Sequence, residues 1–227
     1  MFCGRKSGAL RLQSITRELT SASRQREVKV VEGVGKSTPQ ATDEQIKLIS
    51  RLIVALDDPD QHKRRQARLK LMAMGQPAMP AILRTLARGP ENSRWQVAKA
   101  LSQLQDPATA PALVQALRDE SFGVRWLAAE GLIGMSCDGL EPLLEALICD
   151  SDSVWLREGA HHILHAMHDN GLEHEACAAA EEVLCALEGS EPAVAVPGAA
   201  GFALEKLKKS RSEPAEPSEG EADETMG

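Results

Sequence analysis

The segments Pro80-Ala-Ile-Leu-Arg-Thr-Leu86, Pro111-Ala-Leu-Val-Gln-Ala-Leu117 and Pro142-Leu-Leu-Glu-Ala-Leu-Ile148 begin 31 residues apart. Proline is favoured in the first turn of a helix, where its missing N–H would have had no partner. One column of the alignment holds Ile82, Leu113 and Leu144. Four residues later, another column holds Leu86, Leu117 and Ile148. A spacing of four marks one helical face, so each segment is expected to begin an amphipathic helix.

The same offset relates the sequences that precede these prolines. Residues 93–98 align with residues 124–129, and Leu101 aligns with Leu132. One further shift aligns Ala129 with Ala160 and Leu132 with Ile163. Alanine at a fixed place lets helices approach closely, while leucine or isoleucine fills the space between them. Each unit is therefore predicted to be a helix A, a turn and a helix B, and stacked units share one core.

The third unit carries the most complete motif, Asp119-x-x-x-x-Val124-Arg125-Trp126-x-Ala-Ala-x-x-Leu132, followed by the proline segment. This pattern resembles the short HEAT repeats of the phycobilisome-lyase type over about residues 57–188. The Val-Arg pair is partial in Ser93-Arg94, and in the fourth unit Val154 is followed by Trp155 instead. The resemblance implies an all-α fold, a right-handed α-solenoid (α-α superhelix) of stacked HEAT-like helix pairs.

Three regions are expected along the chain. Residues 1–40 are predicted to be a disordered basic N-terminal arm, and residues 210–227 a disordered acidic C-terminal tail without apolar periodicity. Residues 41–209 are predicted to be a HEAT-like repeat domain of about four to five repeats. Its predicted helices are a capping helix from Thr42-Asp43 to about Leu56, pairs at about 60–88, 91–118, 121–149 and 152–188, and a last helix at about 192–209.

Charge is distributed unevenly. Residues 1–40 have a balance of +5 and residues 205–227 a balance of −3, which leaves −9 for residues 41–204 out of a formal net charge of −7. An acidic body disfavours broad binding to a phosphate backbone. The best local basic patch comprises Lys63, Arg64, Arg65, Arg68 and Lys70. Nucleic-acid binding on HEAT-like repeats stays an alternative with this patch as its site, but we do not expect it.

Composition restricts the class and the compartment. Aromatic residues make up 3% of the chain, which favours helix over sheet. No apolar run approaches the length of a membrane span. Five cysteines without a C-x-x-C pair are typical of a reducing compartment, where a buried cysteine acts as a small apolar residue. We expect a cytoplasmic protein, with mitochondrial location as the alternative if residues 1–30 are an Arg- and Ser-rich transit peptide.

Tryptophan and arginine recur near the start of each helix A. The pairs are Arg94 with Trp95, Arg125 with Trp126, and Trp155 with Arg157. These residue types anchor protein interfaces, so they are the candidate partner-binding residues. The alternative is packing between repeats, in which Asp119 would pair with Arg125 and Asp150 with Arg157.

Several histidines lie on one predicted helix. His161, His165 and His168 flank the expected core stripe Ala160, Ile163, Leu164 and Met167. Histidines one turn apart can share a metal ion. Metal-dependent hydroxylases built on similar repeats present several His-Glu pairs, however, and His174-Glu175 is the single such pair in this sequence. We therefore expect a polar helix face and no metal or other cofactor.

The sequence gives little support for a nucleotide site or for a catalytic site. Residues 32–38 resemble the end of a phosphate-binding loop, but Val30 replaces the first glycine and only helical repeats follow, so no nucleotide site is expected. No nucleophile and base form a recognisable catalytic arrangement, and no catalytic residue is assigned. The sequence thus predicts a non-catalytic HEAT-repeat scaffold or adaptor that binds a protein partner, of unknown identity, on its concave surface, lined largely by B helices. The enzymatic alternatives are a phycobilin-lyase-like activity and a metal-dependent enzyme.

Overall fold

A computed structural model describes residues 42–169 and 175–212. These residues form ten α-helices and no strand, so the all-α fold is confirmed in the part described. The helices are α1 (Asp43–Ala55), α2 (Gln61–Met74), α3 (Met79–Arg88), α4 (Glu91–Leu104), α5 (Ala110–Ala116), α6 (Phe122–Gly134), α7 (Cys137–Cys149), α8 (Val154–Asp169), α9 (Glu175–Glu188) and α10 (Pro192–Ser212). None of these ten helices combines the length and the apolar character that a membrane span requires.

Local sequence sets the starts of four of these helices. Thr42 and Gln45 form a capping box at α1: the Thr42 hydroxyl accepts from Gln45 N, and the Gln45 side chain accepts from Thr42 N. Asp60 caps α2 by accepting from His62 N at 2.8 Å. Pro80 and Pro111 occupy the first turns of α3 and α5, as the repeat predicts.

The prediction that Pro142 begins a helix is wrong. Helix α7 begins at Cys137, so Pro142 lies inside it and cannot donate the usual backbone hydrogen bond. The buried register changes as well: Leu144 and Leu147 are buried, whereas Ile148 is 37% exposed. Leu147 therefore takes the place that the sequence alignment gave to Ile148. Gly139 lies within α7 and packs against Leu132.

The first eight helices alternate between two layers. Helices α2, α4, α6 and α8 pack side by side in sequence order and form the A layer. Helices α1, α3, α5 and α7 do the same and form the B layer. Ile82, Leu113 and Leu144, from three successive B helices, are at most 1% exposed and belong to one hydrophobic core cluster. The predicted stacking of repeats around a shared core is therefore confirmed.

The C-terminal helices depart from this alternation. Helix α9 packs on α8 and α10, and α10 packs extensively on α7, so α10 continues the B layer. Its buried stripe is Val196, Ala200, Ala203 and Leu207. Near its end, Arg211 bonds to Asp138 at 2.9 Å and to Glu141 at 3.0 Å. The predicted helix pair over 152–188 forms as α8 and α9, but it is not a regular A–B pair, because apolar and charged contacts place α10 and not α9 beside α7.

Two helical glycines provide a matched test of helix packing. A Cβ at Gly131 would lie 2.9 Å from Leu113 Cδ1 and 3.0 Å from Ser102 Cα, whereas a Cβ at Gly201 would meet nothing within 4 Å. Gly131→Ala is expected to lower the free energy of unfolding by about 1–3 kcal/mol, because backbone must move to admit the methyl group. Gly201→Ala should raise it by about 0.5–1 kcal/mol through helix propensity. Urea titration followed by circular dichroism measures both, and a Gly131→Ala protein as stable as the parent would contradict this packing.

Candidate functional site

An arginine near the start of each A helix holds the preceding turn. Nη1 of Arg64 donates to the carbonyl oxygens of Asp58 and Pro59, at 2.7 and 2.9 Å. Nη1 of Arg125 donates in the same way to Asp119 and Glu120, at 2.8 and 3.0 Å. Arg94 donates to Gly89 O, and Arg157 donates to Ser151 O. These four arginines are structurally equivalent and fix the turn from which each A helix starts.

This equivalence corrects the alignment of the fourth unit. Arg157 matches Arg125 at an offset of 32 residues, so Leu156-Arg157 is the counterpart of Val124-Arg125. Leu156 and Val124 are both fully buried, as the match requires. The alignment of Ala129 with Ala160 is therefore wrong by one residue. Trp155 aligns with Gly123 and not with another tryptophan.

The expected ion pairs form with different partners. Asp119 binds Arg94, not Arg125: Arg94 Nε and Nη2 donate to its two carboxylate oxygens at 2.7 and 2.9 Å. This hydrogen bond raises the pKa of the Arg94 guanidinium, with the Asp119 charge adding to the effect. Asp150 likewise accepts from Arg118 Nε at 2.7 Å and not from Arg157. Both pairs tie neighbouring turns between repeats: Arg94, at the start of α4, binds the turn before α6, and Arg118, in that turn, binds the turn before α8.

Trp95 packs between repeats. Its ring is half-buried against the core, and a Cβ at Gly123 would lie 2.9 Å from Trp95 Cδ1. Lys99 Nζ lies 4.9 Å from the ring centroid, which is cation–π distance. Together with the ion pair of Arg94, this geometry fits the packing alternative for the first of the three Trp/Arg pairs.

Three of the other four candidates, Arg125, Trp126 and Trp155, form a continuous surface cluster with Phe122 and His162, which we call the aromatic surface. Arg125 Cζ lies 4.8 Å from the Trp155 ring centroid and 5.7 Å from that of Phe122. Trp126 stacks on His162 with centroids 4.8 Å apart, and its centroid is 6.2 Å from that of Phe122. Arg125 thus bridges the third and fourth units while its Nη1 stays bonded to the turn.

The chain has few aromatic residues, and it is unusual that three of them are exposed in one cluster. Phe122 is 68% exposed, Trp126 46% and Trp155 41%. The buried core of the described helices is made of aliphatic residues instead. Sequence reasoning missed Phe122, although its position four residues before Trp126 was a usable signal, since residues i and i+4 share a helical face.

A second surface feature lies in the B layer. A groove of about 680 Å³ runs between α1 and α3. Its lining includes the apolar side chains of Ile46, Ile49 and Ile53 together with Arg84 and Arg88. Apolar floor and cationic rim would suit a segment with apolar and acidic side chains.

The histidines lie close to separate carboxylates. His161 Nε2 lies 3.2 Å from Glu188, His165 Nδ1 3.0 Å from Asp169, and His168 Nδ1 3.6 Å from Glu181. The rings of His161 and His165 are 6.0 Å apart. Among residues 42–169 and 175–212, no three histidine, cysteine or carboxylate groups converge as metal ligands would. The core stripe Ala160, Ile163, Leu164 and Met167 is buried, as predicted. His174 and the phosphate-loop-like residues 32–38 lie outside the described residues.

The basic patch of α2 is divided by the fold. Lys63 pairs with Asp58 at 3.4 Å, Arg64 holds the preceding turn, and Arg68 is buried.

The cysteines also differ from expectation: Cys149 and Cys185 are exposed and Cys137 is half-buried. The expectation that cysteines serve as buried apolar residues is wrong for these three.

Comparison with known proteins agrees with this architecture. The family described as HEAT repeats matches residues 49–133 and, in an overlapping match, residues 85–160. A deoxyhypusine hydroxylase of Candida albicans (strain SC5314 / ATCC MYA-2876) is 28% identical over 126 residues, which cover 53% of this chain and 40% of that protein. The chain thus spans about two fifths of the length of this curated relative. The matched segments, the two helix layers and the recurring arginine give one conclusion: the chain is a HEAT-repeat protein.

Proposed function

We propose that this protein is a non-catalytic scaffold that binds a protein partner, and that the aromatic surface is its main contact. The observation that carries the proposal is the exposure of Phe122, Trp126 and Trp155 on adjacent repeats. Burying such rings releases a large apolar area at low entropic cost, and tryptophan with arginine dominates the energetics of many interfaces. The repeat core does not need these rings, because it is filled by aliphatic side chains.

The charge around the aromatic surface indicates the chemistry of the partner. Glu120, Glu130, Asp152 and Glu158 are exposed near these rings in the sequence. Glu130 contacts His162 at 3.5 Å, so one of these acids is shown at the edge of the surface. A carboxylate at the edge of an apolar centre attracts basic groups and orients them during encounter. The proposed partner segment therefore carries an apolar or aromatic side chain flanked by lysine or arginine.

This location differs from the B-layer surface expected from the sequence. The groove between α1 and α3 is the second candidate, because it has apolar walls and a volume of about 680 Å³. Its arginines would select an acidic segment instead of a basic one. The two locations can therefore be separated by the charge of the partner as well as by mutation.

Replacing Trp126 with alanine is expected to weaken partner binding about 30-fold or more, the cost of losing a hot-spot side chain of about 2 kcal/mol. Phe202→Ala is the matched control, because Phe202 is also 46% exposed but lies on α10. The partner is first captured from the native cell, then purified and titrated calorimetrically against the parent and both variants. We expect Phe202→Ala to bind as the parent does.

Three outcomes would overturn this proposal. If the parent and Trp126→Ala bind the partner equally well and Arg84→Glu does not bind it, the partner contacts the B-layer groove instead. Hydroxylation of a deoxyhypusine-containing protein by the purified chain, the reaction class in the relative's name, would contradict the non-catalytic role. A second copy of this chain as the only bound protein, seen by sedimentation, would replace the partner by self-association.

A further inference from the structure

A polar pocket lies in the A layer between α2 and α4. Its volume is about 360 Å³, and its lining includes Arg65, Arg68, Trp95, Gln96, Lys99 and Gln103. Three of these side chains are cationic, and none of the side chains that line the pocket is acidic. Three positive charges therefore surround a space that holds no anionic side chain.

Arg68 is the unusual member of this set. Its side chain is buried, with the residue 8% exposed, and Nη1 donates to Gln96 Oε1 at 2.7 Å. Arg68 Nε is buried as well and has no hydrogen-bond partner among the described residues. A buried donor without a partner is destabilising, and it is found in native proteins mainly where a ligand, ion or water completes the site.

The electrostatic environment points the same way. Burial lowers the pKa of the Arg68 guanidinium, and repulsion by Arg65 lowers it further. An anion in the pocket would relieve both effects, because it would offset the repulsion between the cations and accept the free N–H groups. The Gln96 amide nitrogen can donate as well, since its oxygen already accepts from Arg68.

We propose that this pocket binds a phosphate group, esterified or free, with Arg68 as the central ligand and Arg65 and Lys99 as flanking cations. A phosphate carries close to two negative charges at neutral pH and three acceptor oxygens, which suits three cations better than a carboxylate does. Guanidinium groups bind phosphate oxygens through paired N–H donors. Lys99 and Trp95 form the wall on the α4 side, with the ammonium held over the ring.

The test is a titration of the ¹⁵N-labelled full chain by NMR, with the Arg68 Nε–H and Trp95 Nε1–H signals as readouts. The probes are inorganic phosphate and O-phosphoserine, compared with serine, acetate and sodium chloride at equal ionic strength. Saturable shifts of both signals are expected with the two phosphates only. Tighter binding of O-phosphoserine would identify an esterified phosphate as the source, and tighter binding of inorganic phosphate would identify a free phosphate.

Variants connect the shifts to the pocket. Lys99→Met is expected to weaken phosphate binding about tenfold, the loss of one charge-assisted contact. Lys70→Met is the matched control, because Lys70 lies exposed on α2 and outside the lining, and it should leave binding unchanged. Arg68→Met should abolish the Trp95 shift; if that variant fails to fold, Arg65→Gln with Lys99→Gln replaces it. Equal shifts with acetate or chloride, or equal weakening by Lys70→Met and Lys99→Met, would overturn the proposal.

Discussion

Replacing Leu113 with alanine should lower the free energy of unfolding by about 2–5 kcal/mol, the cost of an unfilled cavity in a close-packed core. Leu113 is fully buried in α5, between the B helices that carry Ile82 and Leu144. Its Cδ1 also reaches the site where Gly131 of α6 has no side chain. The substitution therefore removes contacts both within the B layer and between the two layers.

The measurement is urea denaturation followed by circular dichroism and by tryptophan fluorescence. In a repeat protein, stability is a sum of unit and neighbour terms, so damage at a central unit should also broaden the transition. Leu69→Ala is the control: Leu69 lies on α2 and is 52% exposed, so the change should stay within about 0.5 kcal/mol. A Leu113→Ala protein as stable as Leu69→Ala would contradict a shared core.

Because Leu113 contacts Gly131, the effects of Leu113→Ala and Gly131→Ala on stability are interdependent. The methyl group added by Gly131→Ala collides with Leu113 Cδ1, and Leu113→Ala removes that atom. The double variant should therefore be more stable than the sum of the single effects predicts, by about 0.5 kcal/mol or more. The remaining approach to Ser102 Cα keeps the compensation incomplete.

The repeat could be read from the sequence because stacking imposes a column of large apolar residues in every unit. Ile82, Leu113 and Leu144 are buried where the 31-residue offset places them. The 31-residue offset fails where one unit is longer than the others. One extra residue before α8 makes Arg157 the structural equivalent of Arg125 at an offset of 32 residues. Periodicity alone cannot locate such an insertion when both registers place alanine and leucine or isoleucine at inward positions.

The candidate site was less predictable, since its properties depend on contacts between units. Sequence reasoning selected Trp126 and Trp155 by residue type, but neither their exposure nor the bridge through Arg125 follows from type. Arg68 illustrates the limit further. In the sequence it belongs to a run of basic residues typical of a solvated face, whereas the fold buries it against Gln96 of the next repeat.

Removing the carboxylate of Asp119 should be about as damaging as removing a core leucine. Asp119 accepts from Arg94 Nε and Nη2 and from Ser121 N at 2.8 Å, and the side chains of the pair are only 19% and 9% exposed. Asp119→Ala leaves Arg94 largely buried, with Gly89 O as its remaining acceptor among these contacts. Breaking this partly buried pair from one side should cost about 2–3 kcal/mol, because the remaining charge loses its hydrogen-bonded partner.

The chain contains a matched pair that separates burial from charge. Arg118 and Asp150 also link successive repeats at 2.7 Å, but their side chains are 22% and 45% exposed. Asp150→Ala should therefore cost about 0–1 kcal/mol, as exposed ion pairs do. Adding Arg94→Met to Asp119→Ala should restore part of the lost stability, since the unpaired charge is then gone. Urea titration of the four proteins measures these differences. If Asp119→Ala and Asp150→Ala cost the same, or Arg94→Met worsens the Asp119→Ala protein, the Arg94–Asp119 pair does not hold the second and third repeats together.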